Sequence, residues 1–291
     1  MNRSPEYEYE HESVAVAEGP AGAADAQSTS SPVGGPGAPG RIRLFGIPID
    51  NLAMSGAVRA MLDRLDDDGP HQVCFVNADC ANIACRNRPY LDVLRGASLV
   101  LADGMGMKLA GWALGNKIRE NVNGTDLFPR LCAALSGSGK RIFLLGAKPG
   151  VAEAVCDWIG RDYPDLVVAG CRHGYFSPEE EPAVIRHIAA SRADLLLVAF
   201  GAPRQDLWIH RQLPELRVKV AVGVGGLFDF YSGQIPRAPL WIRTLGMEWL
   251  YRLSREPGRL WKRYLLGNAV FLGRLAAERL RRVGRPGGSA R

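Results

Sequence analysis

The chain is poor in the residue patterns that several chemistries require. Its six cysteines, at positions 74, 80, 85, 132, 156 and 171, are scattered; none forms C-x-x-C and no histidine cluster completes a zinc set. This speaks against a disulfide framework or a structural zinc site, and implies reduced, mostly buried thiols in a cytoplasmic protein. Residues 1–30 have no apolar segment of the signal-peptide kind and carry Glu6, Glu8, Glu10 and Glu12. There is no Walker A sequence, and Gly104 and Gly106 lack the third glycine of a dinucleotide fingerprint, which weighs against a dehydrogenase. No Ser–His or Cys–His nucleophile pattern and no internal repeat is visible. The longest charge-free run of the C-terminal region, Tyr264 to Gly273, has ten residues and is too short to span a bilayer.

What remains is a chain of 291 residues with 47% hydrophobic and 23% charged residues, enough for a full globular core. Residues 1–40 read as a disordered leader, rich in Gly, Ala, Pro and Ser from 18 onward. Apolar runs at 41–47, 72–77, 98–102, 141–146, 166–170, 194–200 and 218–224 predict strands. Most are nearly continuous, as in parallel sheets buried on both faces. Helical spacing at 55–66, 150–161 and 179–191 lies between them, the last opened by Ser177-Pro178 and three glutamates. Alternating β and α elements predict an α/β sandwich with a mostly parallel sheet over residues 41–234.

The net charge of +6 is unevenly spread. Residues 235–291 hold 13 Lys/Arg against 3 Asp/Glu, a net +10, while the preceding 234 carry 23 basic and 27 acidic groups, a net −4. Two arginine- and aromatic-rich helices are predicted here, 239–254 and 256–283, with three of the six tryptophans. A solvated helical face, nucleic-acid binding and membrane-surface association all use such residues. The interleaved Trp and Tyr favour an anionic membrane surface, and no nucleic-acid partner is expected. Each basic residue near anionic lipid contributes roughly 1 kcal/mol, so a handful gives reversible attachment. The apolar tail surface would equally pair subunits into a homo-oligomer.

Five apolar runs end on residues suited to a ligand loop: Asn77, Asp103, Gly146, Gly201, and Gly225-Gly226 ahead of Asp229. In a parallel sheet these loops share one edge, where open α/β folds bind ligands. Asp103-Gly104 alone is better read as a turn than as a catalytic site. The turn Gly146-Ala147-Lys148-Pro149-Gly150 fits a phosphate site or a plain β–α connection. Gln205, after Pro203, fits recognition of a base or sugar, or a helix cap. Asn123-Gly124-Thr125-Asp126 fits a turn with a cap.

The order of motifs resembles the WecG/TagA/CpsF glycosyltransferases over about 41–265. It rests on ADGMGM (102–107), NGTDL (123–127), FLLGAKPG (143–150), YPDL (163–166), GYF (174–176), FGAPRQD (200–206), VGVGGLFDFYSG (222–233), RAP (237–239) and EWLYRLSREPGRLWKRY (248–264). The resemblance implies a Rossmann-like α/β domain with a C-terminal helical, membrane-associating appendage, here 235–291. It implies inverting, metal-independent transfer of a sugar from a UDP-sugar to a lipid-linked acceptor, at the inner face of the cytoplasmic membrane and with no cofactor. Implied donors are UDP-N-acetylmannosamine, its uronic acid or a UDP-glucose type, and the product enters a cell-surface polysaccharide.

By the same resemblance Asp103 is the general base, and Asn77, Gln205 and Asp229 are substrate contacts. Arg204 and Asp206 stand where the family has Lys and Glu, Phe75 where it often has Thr, and Asn121 where many members have Arg. Strand-end loops and motifs together mark Gly104, Gly106, Gly124, Thr125, Asp126, Gly146, Gly201 and Pro203 as further substrate-binding positions. Arg237, Arg252, Arg259 and Arg263 are the expected tail contacts to donor or membrane. The competing reading is a non-catalytic, membrane-docked nucleotide-sugar binding or scaffold protein.

Overall fold

The computed structural model describes residues 40–244 and 246–283. The expected leader, apart from its last residue, lies outside them. Six parallel strands form the central sheet: β3 (His71–Val76), β4 (Leu99–Ala102), β5 (Arg141–Gly146), β6 (Val167–Arg172), β7 (Leu195–Ala199) and β8 (Val220–Gly223). Their order is β4-β3-β8-β7-β5-β6. The runs LVLA, LLLVA and VAVG are buried at every position. Side chains alternate across the sheet: Leu195 and Leu197 enter one core, Leu196 and Val198 the other.

One face is covered by α1 (Met54–Asp66), α5 (Gly124–Leu135), α6 (Val151–Asp162) and α9 (Leu227–Tyr231). The opposite face carries α2 (Ala78–Ala84), α3 (Arg88–Gly96), α4 (Met105–Ala113), α7 (Glu181–Ser191) and α8 (Arg204–Leu216). Each fully buried Leu, Ile or Phe contributes about 1.5–3 kcal/mol relative to its exposed state. The apolar faces, rather than helix propensity, hold the layers together.

The run 41–47 is not one strand of the sheet. It divides into β1 (Arg41–Leu44) and β2 (Ile47–Asp50), an antiparallel hairpin that pairs Leu44 with Ile47. Phe45 and Gly46 both sit in the left-handed region, at φ 55° and 78°, as a two-residue turn of this kind demands. Gly46 takes that conformation freely, whereas Phe45 is disfavoured there by about 1 kcal/mol. The hairpin braces the β4 edge: Asp50 accepts the Val100 N–H at 2.8 Å and pairs with Arg41.

Two helix boundaries also differ from the sequence expectation. Ser177-Pro178 forms a separate turn, closed by the Ser177 N–H on the Glu180 carboxylate, and α7 starts at Glu181 with Pro182 in its first turn. The predicted helix 239–254 is two pieces, α10 (Leu240–Thr244) and α11 (Glu248–Arg255). Gly246, at φ 70°, donates to the Arg243 carbonyl while Met247 donates to Ile242, a Schellman stop. Further on, Pro257 opens α12 (Pro257–Trp261), a π-helical turn spans Lys262–Leu266, and α13 covers Gly267–Val283. Phe271 and Leu275 of α13 are buried in the same core as Met107 and Ala110 of α4. Among the described residues no helix is long and apolar enough to cross a membrane.

Candidate active site

Because the six strands run in parallel, all their carboxyl ends lie on one edge. The helices that follow point their N-termini at that edge, where partial positive charge and unpaired N–H groups favour an anion. β5 leads out toward the edge strand β6, whereas β7 leads back to β8; chain paths diverge between them, the usual position of a ligand crevice.

Asp103 follows β4 at this edge. Its backbone N–H donates to the Val76 carbonyl at 2.9 Å, tying the loops after β3 and β4 together. Gly104, at φ 90°, is the N-cap of α4, a conformation that glycine alone tolerates readily. Its N–H donates to Asn121 Oδ1 at 2.6 Å, and Val122 N–H donates to the Ala102 carbonyl at 3.0 Å. The chain before α5 therefore fixes the turn that carries Asp103. Gly106 is packed close: a Cβ there would lie 3.0 Å from Ala78 and 3.6 Å from the Phe271 ring.

Asn77 caps α2 by accepting the Cys80 N–H at 3.0 Å. Asn123 caps α5 by accepting the Asp126 N–H, so the motif Asn123-Gly124-Thr125-Asp126 is a built helix start as well as part of the edge. Phe75, at the end of β3, lies beneath it: a Cβ on Gly124 would sit 3.7 Å from the Phe75 ring. Gln205 is buried, and its Oε1 accepts two N–H groups, Gly201 at 3.0 Å and Gly225 at 2.9 Å. It staples the loops after β7 and β8. Pro203 is the N-cap of α8, and Gly146 packs so tightly on Ala199 that a Cβ would collide with that backbone. The neighbouring Asp206 is fully buried beside Cys74 and Tyr90, and burial pushes its carboxyl up to about 7.

The tail and the helix just before it meet this edge at four points. Arg237 Nη2 lies 2.7 Å from Asp126 Oδ1, and Arg243 Nη1 3.4 Å from the same oxygen. Tyr231 donates its hydroxyl to the Thr125 carbonyl at 2.6 Å. Arg252 stacks 4.9 Å from the Phe230 ring centroid, and its tip and the Asp229 carboxylate both flank Gly226. Gly246 presses on the Met105 side chain, so the tail also touches the turn after Asp103. The Arg259 and Arg263 contacts expected from sequence lie outside the described side chains.

Charge in this cluster is balanced internally. Burial would raise the Asp126 carboxyl, but hydrogen bonds from Arg237 and Asn123 outweigh it and hold it below the ordinary carboxylate value. Burial lifts Glu248 of α11, although Arg237, Arg243 and Arg252 all pull it down. An open cavity of about 410 Å³ adjoins the cluster, lined by Asp157, Trp158, Arg161, Phe230, Tyr231 and Ser232 among others. Among the described residues, no three His, Cys, Asp or Glu side chains cluster as a metal site would.

Four contributors escaped the sequence reading: Asn121, Tyr231, Arg243 and Glu248. Asn121 was noted only as a departure, because its role is a contact to a backbone N–H 17 residues earlier. Glu248, one of 3 acids in the basic tail, was the available signal for a buried ion cluster.

The chain matches the glycosyl transferase WecG/TagA/CpsF family over residues 42–285. It is 37% identical over 193 residues to the N-acetylglucosaminyldiphosphoundecaprenol N-acetyl-beta-D-mannosaminyltransferase of Bacillus subtilis (strain 168), covering 66% of this chain and 74% of that one. A protein of the same name from Bacillus spizizenii is 34% identical over 69% of this chain and 77% of its own length. One from Staphylococcus aureus (strain MRSA252) is 29% identical over 77% and 86%. The parallel sheet, the loops at its carboxyl edge and these matches agree: the chain belongs to the WecG/TagA/CpsF family of glycosyltransferases.

Proposed function

We propose that this protein transfers a hexosyl group from a UDP-sugar to a saccharide carried on a polyprenyl diphosphate, by one inverting displacement with Asp103 as base. The observation that carries the reading is the placement of Asp103. Its carboxylate stands on a turn held by Val76 and Asn121, at the edge where helix N-termini and tail arginines gather. An acceptor hydroxyl attacks the donor C1 and gives its proton to Asp103 as the bond from C1 to the UDP oxygen breaks. The departing diphosphate gains negative charge. Backbone N–H groups of the glycine loops, with Arg252 above Gly226, are the groups positioned to receive it.

The acceptor class follows the relatives, whose shared name specifies a diphosphoundecaprenol-linked N-acetylglucosamine. N-Acetylmannosamine is the first donor sugar to test, since it is the group those relatives are named for. In this reading residues 41–234 supply the catalytic unit. Residues 235–291 close over it and rest on the anionic inner face of the cytoplasmic membrane. The experiment is a screen of UDP-N-acetylmannosamine, its uronic acid and UDP-glucose with a synthetic N-acetylglucosaminyl diphosphoprenol. A β-linked disaccharide lipid with release of UDP is expected from one of them. Binding of UDP-sugars with no transfer from any would favour the non-catalytic scaffold.

A further inference from the structure

α4 starts one residue after Gly104 and shows an apolar face that, among the described residues, is only partly covered: Gly246 lies against Met105, and the rest stays exposed. Met105 and Leu109 are each 43% exposed and Trp112 is 70% exposed. Their spacing of four and then three residues places them in one line down the helix, about 10 Å long. Met107 and Ala110, on the other side, are buried in the core, so burial has chosen which face turns out. Single exposed apolar residues are ordinary; three in line from the turn that bears Asp103 are a surface.

We propose that this stripe is the track for the first isoprenoid units of the acceptor's polyprenyl chain. The inference rests on the transfer reading above and deepens it. An acceptor of the relatives' kind has three parts in order: sugar, diphosphate and apolar chain. With its hydroxyl at Asp103, the apolar part must leave the site across protein surface before it reaches lipid. Met105, Leu109 and Trp112 are the apolar surface that begins there. Lys108, on the same helix and without an ion pair among the described residues, offers the diphosphate a cation at the start of the track. The tail packs against the same helix. Gly106 of α4 packs against Phe271 of α13, and the flanking Val270 and Leu272 are exposed at 43% and 50%. Trp112, at the far end, is the residue type that settles at the boundary between apolar and polar phases.

The test compares two acceptors, N-acetylglucosaminyl diphosphoundecaprenol in detergent and an analogue with a short, water-soluble alkyl chain. The full chain and its Leu109→Ser/Trp112→Ser variant are assayed on both, with thermal melting to verify folding. The expected result is an increase of about tenfold in the ratio of long-chain to short-chain acceptor KM, the factor that about 1.4 kcal/mol of lost apolar contact produces. An unchanged ratio overturns the proposal, as does a wild-type dimer that the variant disrupts in sedimentation while leaving the ratio alone. A second measurement stands apart from turnover: photolabelling with a benzophenone-bearing prenyl diphosphate, followed by peptide mapping. Labels on the peptide spanning residues 105–113 support the track, and labels confined to other segments refute it. If the wild type transfers to neither acceptor, the transfer reading fails and this labelling alone decides the track.

Discussion

Asp126→Asn separates the charge that docks the tail from the shape that starts α5. The carboxylate is about one-third exposed, and its arginine partners Arg237 and Arg243 about one-quarter. A fully buried charge-assisted hydrogen bond contributes about 1.5–3 kcal/mol, and an exposed ion pair about 0.2–1 kcal/mol. The close contact to Arg237 falls between these limits, so the loss is about 1.5 kcal/mol, roughly tenfold in the docking equilibrium. Hydrogen exchange read by mass spectrometry is the assay. Amides of α11 are expected to exchange about tenfold faster in the variant, if opening is fast relative to exchange. The N-terminus of α5 keeps its cap, because Asn123 Oδ1 accepts the backbone N–H of residue 126, and an asparagine there still offers an acceptor oxygen to Asn123 Nδ2.

The pH dependence has a definite sign. The folded-state pKa of Asp126 is depressed, so its contribution is present above the unfolded value, about 4, and is lost as pH falls through the folded value. Acid-induced release of α11 should therefore be blunted in the variant. Unchanged exchange in α11, with faster exchange in α5 alone, would refute the reasoning: Asp126 would then serve only its own helix.

Asn121→Ala removes the acceptor for the Gly104 N–H, and kcat is expected to fall about 10- to 100-fold through misplacement of Asp103 while donor affinity is retained; equal losses in both would point to general collapse of the edge. Gly223→Ala would put a Cβ 2.5 Å from Asp206 Oδ1 and 2.6 Å from Gln205 Nε2, so a loss of about 1–3 kcal/mol is expected in urea unfolding. Asp206→Asn tests the buried carboxyl. Its folded pKa is raised, so its neutral form supports stability at low pH and that support is lost as pH rises through about 7. The variant is expected to melt above the wild type at pH 8 and to lose this part of the pH dependence; parallel curves would remove Asp206 as the cause.

The parallel sheet was legible because strands buried on both faces need continuous apolar runs, as in LLLVA and VAVG. The hairpin was not, since RIRLFGIPID keeps its apolar pattern through a turn whose signal is one glycine beside a phenylalanine. The break at Gly246 was masked similarly: an isolated glycine in a helical pattern is tolerated as often as it stops a helix, and the Met105 side chain that requires it lies far away in sequence. At the edge, the sequence placed Asp103 and the glycines correctly at strand ends. It did not reveal that Gln205 directs its carbonyl at Gly201 and Gly225, or that Arg237 and Arg243 share Asp126. Such pairings depend on how loops from separate strands meet, which local spacing does not encode.

The most direct test of the account is Asp103→Asn in the full chain, measured for UDP binding by calorimetry and for transfer to the lipid-linked acceptor. The account predicts UDP affinity within about twofold of wild type and a loss of transfer of at least about 100-fold, the scale of general-base catalysis. Near-normal turnover in that variant would contradict it.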